Sequence, residues 1–291
     1  DLVSYEEAYK NRLKLDWKNE DIAIPSFVGL KQIIDYPLEE IRKYIDWTFF
    51  FSAWEIRGSF PKILNNPVKG EAARELFENA NLLLDEIIDK ELLQANVAYG
   101  FWPANADNDD IVLYKNEKRI NELVRFNMLR QRKIKSGITL SLSDFIATKE
   151  SGVEDFVGAF AVTAGINAEK ISAEYENNND DYKSIMVKSI ADRLAEGLAE
   201  LMHQRVRKEW GFPDKNNITN DDLIKEKYRG IRPAFGYPAC PNHEEKEKLF
   251  DILNAKKIGM ELTENYSMSP AASVSGLYFA NVNAKYFSIQ N

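Results

Sequence analysis

Hydrophobic positions change period from segment to segment along this chain, and the period predicts the elements. Residues 26–34 alternate apolar and polar side chains like a half-buried strand, and Pro37 opens a helix from about Leu38, since proline fits a first helical position. Asp46, Trp47 and an apolar run to Trp54 follow directly, with Phe49, Phe50, Phe51 and Trp54 reading as core. Asp46 at the mouth of that run is the exception, because a carboxylate beside apolar surface needs a partner. Residues 70–93 place Leu76, Ala80, Leu83 and Ile87 at helical spacing. Residues 94–114 read as a hairpin, with strands over 97–102 and 110–114 joined by the turn-forming NADND.

Further strands are expected at 121–126, 144–148 and 156–163; the last, FVGAFAVT, is apolar on both faces and reads as a central strand. NNND at 177–180 is a surface loop, and residues 181–210 form one long helix with Val187, Ile190, Leu194, Leu198 and Leu201 as its core stripe. Asp192, Glu196 and His203 fall on another side, which is either simply solvated or a functional face. Thr219 with Asp222 caps a helix over 220–228, another helix covers 244–257, and strands are expected at 277–281 and 285–290. The fold class is therefore α+β, with a mixed or antiparallel sheet and helices grouped around it.

A chain of 291 residues with 44% hydrophobic and 12% aromatic residues has material for a sizeable core, in one large domain or two. No internal repeat or Gly/Ser linker divides it. A formal charge of −8 argues against nucleic acid or an anionic membrane surface as a main partner. The single cysteine, Cys240, excludes an internal disulfide, and no apolar run approaches the roughly 18 residues of a membrane span, which fits a reducing, cytoplasmic setting. The chain begins with Asp and residues 3–9 are too charged for a signal peptide, so we expect a piece of something longer.

The densest chemistry lies in residues 230–243, GIRPAFGYPACPNH. Pro233, Pro238, Pro241 and Gly236 exclude a helix or a central strand, and Arg232, Tyr237 and Cys240 each stand at a restricted pre-proline position. The backbone N–H groups of Ala234, Phe235, Gly236, Tyr237, Ala239 and Cys240 have no ladder to use them, so a ligand could supply acceptors. A stiff loop with a cation at one end and an aromatic in the middle suits a small zwitterionic or adenine-like ligand; equally, it could be a structural turn packing Phe235 and Tyr237 on the core. Cys240 and His243 cannot close a zinc site, which wants three or four ligands, and His203 is the only other histidine.

This loop resembles the RPAxGYPACPxH signature of the activation domain of cobalamin-dependent methionine synthase. DWTFFF at 46–51, DRLAE at 192–196 and SVSGLY at 273–278 resemble further segments of that family, in the same order. The resemblance implies a C-shaped single domain with a bent, mainly antiparallel sheet over residues 16–291, preceded by a linker or short helix over 1–15. Relatives usually continue past the point where this chain stops at Asn291. The implied ligand is S-adenosylmethionine, with Asp46 and Glu196 on its polar, positively charged portion, Arg232 on its carboxylate, and the backbone from Ala234 through Gly236 to Tyr237 on adenine and ribose. Tyr237 and Tyr286 are implied to be ligand-side or corrin-facing; Phe287 stands where the family can have tyrosine, and Phe235 where it often has proline. The implied task is to present the sulfonium methyl to a cobalamin held by a neighbouring domain. That reductive methylation of cob(II)alamin, with one electron from a flavodoxin-like or other flavoprotein donor, restores the homocysteine methyltransferase. No DxHxxG cobalamin motif is present, so the domain alone is expected to bind its methyl donor and transfer nothing. The rival expectations are a self-sufficient methyltransferase and an interaction module that docks a flavoprotein or cobalamin domain without a ligand of its own.

Overall fold

Two long antiparallel strands carry the architecture, which is a computed structural model describing residues 2–134 and 137–290. In chain order the elements begin with α1 (Tyr5–Lys10), β1 (Gly29–Ile33), α2 (Leu38–Arg42), α3 (Trp47–Ala53), α4 (Gly70–Asp89) and β2 (Gln94–Asp107). There follow β3 (Asp110–Tyr114), β4 (Glu122–Asn127), β5 (Asp155–Ile166), α5 (Ala168–Asn177), α6 (Asp181–Glu209) and α7 (Asn220–Ile224). The chain closes with α8 (Glu245–Leu253), β6 (Glu261–Leu262), β7 (Met268–Ser269) and β8 (Ser273–Tyr278). The main sheet runs β4-β3-β2-β5-β8, all antiparallel, with β1 added to β2 opposite Val97 to Phe101. A separate two-stranded ribbon pairs β6 with β7. The α+β class with a mainly antiparallel sheet is as expected.

Strand alternation divides the core into two layers. Val97, Tyr99 and Phe101 of β2, with Phe156, Phe160 and Val162 of β5, pack under α2, α3, α4 and α6. Ala98, Trp102 and Ala104, with Val157, Ala159 and Ala161, face α8 and the proline-rich loop. Strand β5 is buried on both faces and lies between β2 and β8, the central position its apolar run predicts. In α6 the expected stripe is buried throughout.

Several expectations change. Residues 144–148 form no strand, because a reciprocal capping box between Ser141 and Asp144 winds Leu142–Phe145 into a 3-10 turn. Residues 285–290 are not a strand either; that segment runs over the proline-rich loop, with Ile289 N–H donating to Pro238 O at 2.9 Å. Strand β2 continues through Pro103 to Asp107 rather than ending at Trp102, and its turn is the pair Asn108–Asp109. Pro103 falls at the gap between β1 and β3 along one edge of β2, where a strand tolerates proline. Phe50 and Phe51 are fully buried, but Phe49 turns outward with the Arg193 guanidinium 4.2 Å above its ring. A seven-residue helix such as α3 cannot hold itself; burial of Phe50 and Phe51 at about 1.5 to 3 kcal/mol each, with the Asp46 cap, stabilises it. Helix α5 had no counterpart in the sequence reading, and the helix expected over 244–257 breaks at Asn254, whose φ is +49°.

The first residues dock on the body. Ala8 is buried, Thr139 Oγ1 donates to its carbonyl at 2.6 Å, and Leu13 N–H donates to Thr139 O at 3.2 Å. Among the described residues no helix is long and apolar enough to cross a membrane.

Candidate functional site

The proline-rich segment is set by strand-like hydrogen bonds to β8. Ile231 and Phe279 exchange backbone bonds of 3.2 and 3.0 Å, and Leu277 N–H donates to Pro233 O at 3.0 Å. Strand β8 carries glycine at Gly276 because any side chain there would overlap the Pro233 carbonyl. With Ile231 turned into the lower apolar layer, alternation sends Arg232 the other way, towards α6.

Beyond Pro233 the loop closes on itself. Gly236 N–H donates to Cys240 O (2.9 Å), Cys240 N–H to Tyr237 O (3.0 Å) and Tyr237 N–H to Ala234 O (3.3 Å). Gly236 has φ +93°, and a Cβ there would run into the His243 ring. Phe235 is buried and stacks on Phe126 with centroids 5.5 Å apart, anchoring the loop from below. The buried Cys240 thiol donates to Ala234 O at 3.1 Å, and burial pushes its pKa up to about 12. Three of the six N–H groups expected to lack ladder partners therefore use acceptors inside the loop. Those of Ala234, Phe235 and Ala239 have no protein acceptor among the described residues.

Above the loop opens a cavity of about 680 Å³ between α6, the loop, residues 267–275 and the C-terminal segment. Of the residues singled out from the sequence, Glu196, Arg232, Ala234, Tyr237, Tyr286 and Phe287 line it. Tyr237 is 66% exposed at its mouth, the Tyr286 hydroxyl accepts Arg232 N–H at 3.0 Å, and Phe287 packs edge-on to Phe145. Gly236 shapes the loop without lining the cavity. Asp46 is not in the lining; its carboxylate caps α3 by accepting Phe49 N–H at 3.3 Å. The helix it caps packs on α6 just ahead of Glu196, since Phe49 meets Arg193 and Trp54 Nε1 donates to Ser189 Oγ at 3.1 Å.

Of the charged groups lining the cavity, Arg232 is paired with a carboxylate, whereas Glu196 and Lys246 have no ion-pair partner among the described residues. Arg232 Nη2 donates to Glu200 Oε2 at 2.7 Å, and Nη1 donates to the Tyr228 hydroxyl at 2.8 Å and meets His203 Nδ1 at 3.0 Å. Burial works against the Arg232 charge, but Glu200, Tyr228 and Tyr286 outweigh it and hold the pKa above the usual guanidinium range. His203 is buried rather than solvated; desolvation, with the charges of Arg232 and Arg207, drives its pKa well below the imidazole value, so it is the neutral acceptor in this contact. Arg193 is paired with Asp192 at 2.6 Å. Glu196 has no ion-pair partner among the described residues. The residue lines the cavity and is exposed to solvent there, and the partial desolvation of its carboxylate by the cavity wall raises its pKa above the ordinary carboxylate value.

Sequence reasoning missed the residues behind and beside the loop. Glu200 lies at i+4 from Glu196 on α6, a spacing that puts both on one stripe and could have flagged it. Lys246, three residues after His243, also lines the cavity, with Nζ 3.0 Å from both His243 Nδ1 and Tyr266 O, and burial lowers its pKa. Among the described residues no group of three His, Cys, Asp or Glu side chains could hold a metal ion.

The family model for the activation domain of vitamin B12-dependent methionine synthase matches residues 37–291. Among solved structures, the chain is similar to the crystal structure of the MetH reactivation domain bound to AdoHcy. The two share 42% identity and a TM-score of 0.96, over 99% of this chain and 89% of that one.

Proposed function

This chain belongs to the activation-domain family of vitamin B12-dependent methionine synthases, and we propose that its cavity holds S-adenosylmethionine and presents the methyl group to a cobalamin on a neighbouring domain. The observation that carries this reading is the pairing, in one cavity wall, of an uncompensated carboxylate, Glu196, with a guanidinium, Arg232, that retains unused donors. Glu200, Tyr228 and His203 occupy three of the five guanidinium N–H groups, which leaves two for a ligand carboxylate.

The cavity lies within the usual size range of small-molecule sites, and the free N–H groups of Ala234, Phe235 and Ala239 suit the acceptor edges of adenine and ribose. AdoHcy, held by the solved relative, is the same molecule without its sulfonium methyl. Glu196 takes the cationic portion, and Asp46, outside the lining but capping a helix packed on α6 just ahead of Glu196, is a second carboxylate for it. Gly236 keeps the loop in its left-handed turn, while Tyr237, Tyr286 and Phe287 form the aromatic rim. When bound, S-adenosylmethionine supplies an electrophilic methyl; the chain's residues bind it, orient it and keep its charges matched. Alignment is the main contribution such a site makes to a displacement, so no general base is needed. We place the activation domain at residues 16–291, with residues 1–15 as a connecting segment docked on it, in the cytoplasm and served by a flavoprotein electron donor.

The test mixes the chain with S-adenosylmethionine, a cobalamin-loaded partner domain and a one-electron reductant. Methylcobalamin and S-adenosylhomocysteine should form, read from the corrin absorbance. The chain with common small acceptors and no corrin should leave the donor intact. Turnover there would promote the self-sufficient methyltransferase, and absence of any binding would promote the pure docking module.

A further inference from the structure

Arg232 enters the cavity wall already paired. Its partner Glu200 does not line the cavity, is 8% exposed, and has Oε2 on the guanidinium while Oε1 is buried without a hydrogen-bond partner. The two arginines nearest Glu196 in charge are thus each cancelled by a carboxylate of their own, Arg193 by Asp192 and Arg232 by Glu200. That cancellation leaves neither arginine as a net counter-charge to Glu196. Lys246, the other cation in the lining, is held by His243 and Tyr266 and lacks a carboxylate among its hydrogen-bond partners.

We infer that Glu200 is a specificity-determining residue: by cancelling the Arg232 charge from behind, it makes the cavity prefer a sulfonium ligand over the neutral thioether left when the methyl has gone. This rests on the S-adenosylmethionine reading above. The methyl donor and its demethylated product share adenine, ribose, ammonium and carboxylate, and differ by one methyl and one positive charge. Any effect of Glu200 on the orientation of Arg232 acts on the shared carboxylate and weakens or strengthens both ligands alike. Its effect on the extra charge appears only in the ratio of the two affinities. A site that releases product and admits fresh donor needs that ratio in the donor's favour.

Glu200 stands one helical turn from Glu196, so a cation held by Glu196 lies on the order of 10 Å from it; at an effective dielectric of about 20 a unit charge there changes an affinity ratio on the order of tenfold. Glu200→Gln keeps the shape and an acceptor for Arg232 while removing the charge. We expect the ratio of dissociation constants, S-adenosylhomocysteine over S-adenosylmethionine, measured calorimetrically at low salt on the full chain, to fall about tenfold in this variant. Glu200→Asp, which keeps the charge, should retain the wild-type ratio. The double variant Glu200→Gln/Arg232→Met removes one charge of each sign and should return the ratio towards wild type although both ligands bind more weakly.

An unchanged ratio in a folded Glu200→Gln protein, whatever happens to the individual affinities, overturns the inference and leaves Glu200 a structural brace. Should Glu200→Gln fail to fold, Arg232→Met compared with the double variant isolates the same charge: equal ratios in those two overturn the inference, and a higher ratio in Arg232→Met supports it. Wild-type protein that binds neither compound would overturn the ligand reading and this inference together, whereas binding with an unmoved ratio overturns this inference alone.

Discussion

Arg232→Ala separates what the arginine does for the fold from what it does for the ligand. In the folded chain its removal leaves Glu200 buried with no counter-charge, and Glu200 Oε1 already lacks a partner. Breaking a buried pair from one side costs about 3 to 5 kcal/mol, and Arg232 retains 17% side-chain exposure, so the lower end of that range applies here. For a chain of this size that is a fall in Tm of roughly 5 °C. Binding loses a charge-assisted fork on the ligand carboxylate, about 1.5 to 3 kcal/mol, or roughly ten- to a hundredfold in Kd. Thermal unfolding without ligand reads the first effect, and calorimetric titration with S-adenosylmethionine well below the new Tm reads the second. Unchanged affinity in a folded variant would refute the assignment of Arg232 to the carboxylate. An unchanged Tm would refute the buried pair with Glu200.

Glu196→Gln should weaken S-adenosylmethionine binding, and an isotherm that overlays the parent's would mean that Glu196 merely faces solvent. Because burial raises the Glu196 pKa, affinity should be full at neutral pH and decline as pH falls through a value above the ordinary carboxylate range; in Glu196→Gln that decline should be absent. Cys240, buried with its thiol pushed up to about 12, should resist iodoacetamide at pH 8 in the native protein. Cys240→Ser should keep ligand binding and carry no stoichiometric zinc, whereas one zinc per chain, lost on mutation, would reinstate a metal site. Gly236→Ala places a Cβ at φ +93° against the His243 ring and should cost about 1 to 3 kcal/mol in denaturant unfolding while loosening the loop enough to weaken binding. A stable Gly236→Ala protein with parental affinity would show that the loop tolerates another shape.

What was legible in the sequence followed from period and chain stiffness. The α6 stripe from Val187 to Leu201, the double-sided burial of β5 and the shape of the Pro233 to Pro241 loop are local consequences of residue type, and they hold. Residues 144–148 misled because the strand expected over their short apolar run, Phe145 to Ala147, was overridden by the capping box between Ser141 and Asp144. Of the site, Glu196, Arg232 and Tyr237 were reachable through motif resemblance, and the structure brings them to one cavity. Asp46 reads in the fold as a helix cap, a role that the apolar run after it concealed. Glu200, Tyr228 and His203 were not legible as a group, because their contact depends on residues 231–233 docking along β8 and bringing Arg232 onto α6. No spacing within one element encodes that approach.

A crystal structure of this chain grown with saturating S-adenosylmethionine tests the central claim most directly. The account predicts one ligand in the cavity above the proline-rich loop, its carboxylate on the Arg232 guanidinium, its cationic portion beside Glu196, and its adenine and ribose on the backbone from Ala234 onward. An empty cavity at saturation, or a ligand bound elsewhere on the chain, would contradict it.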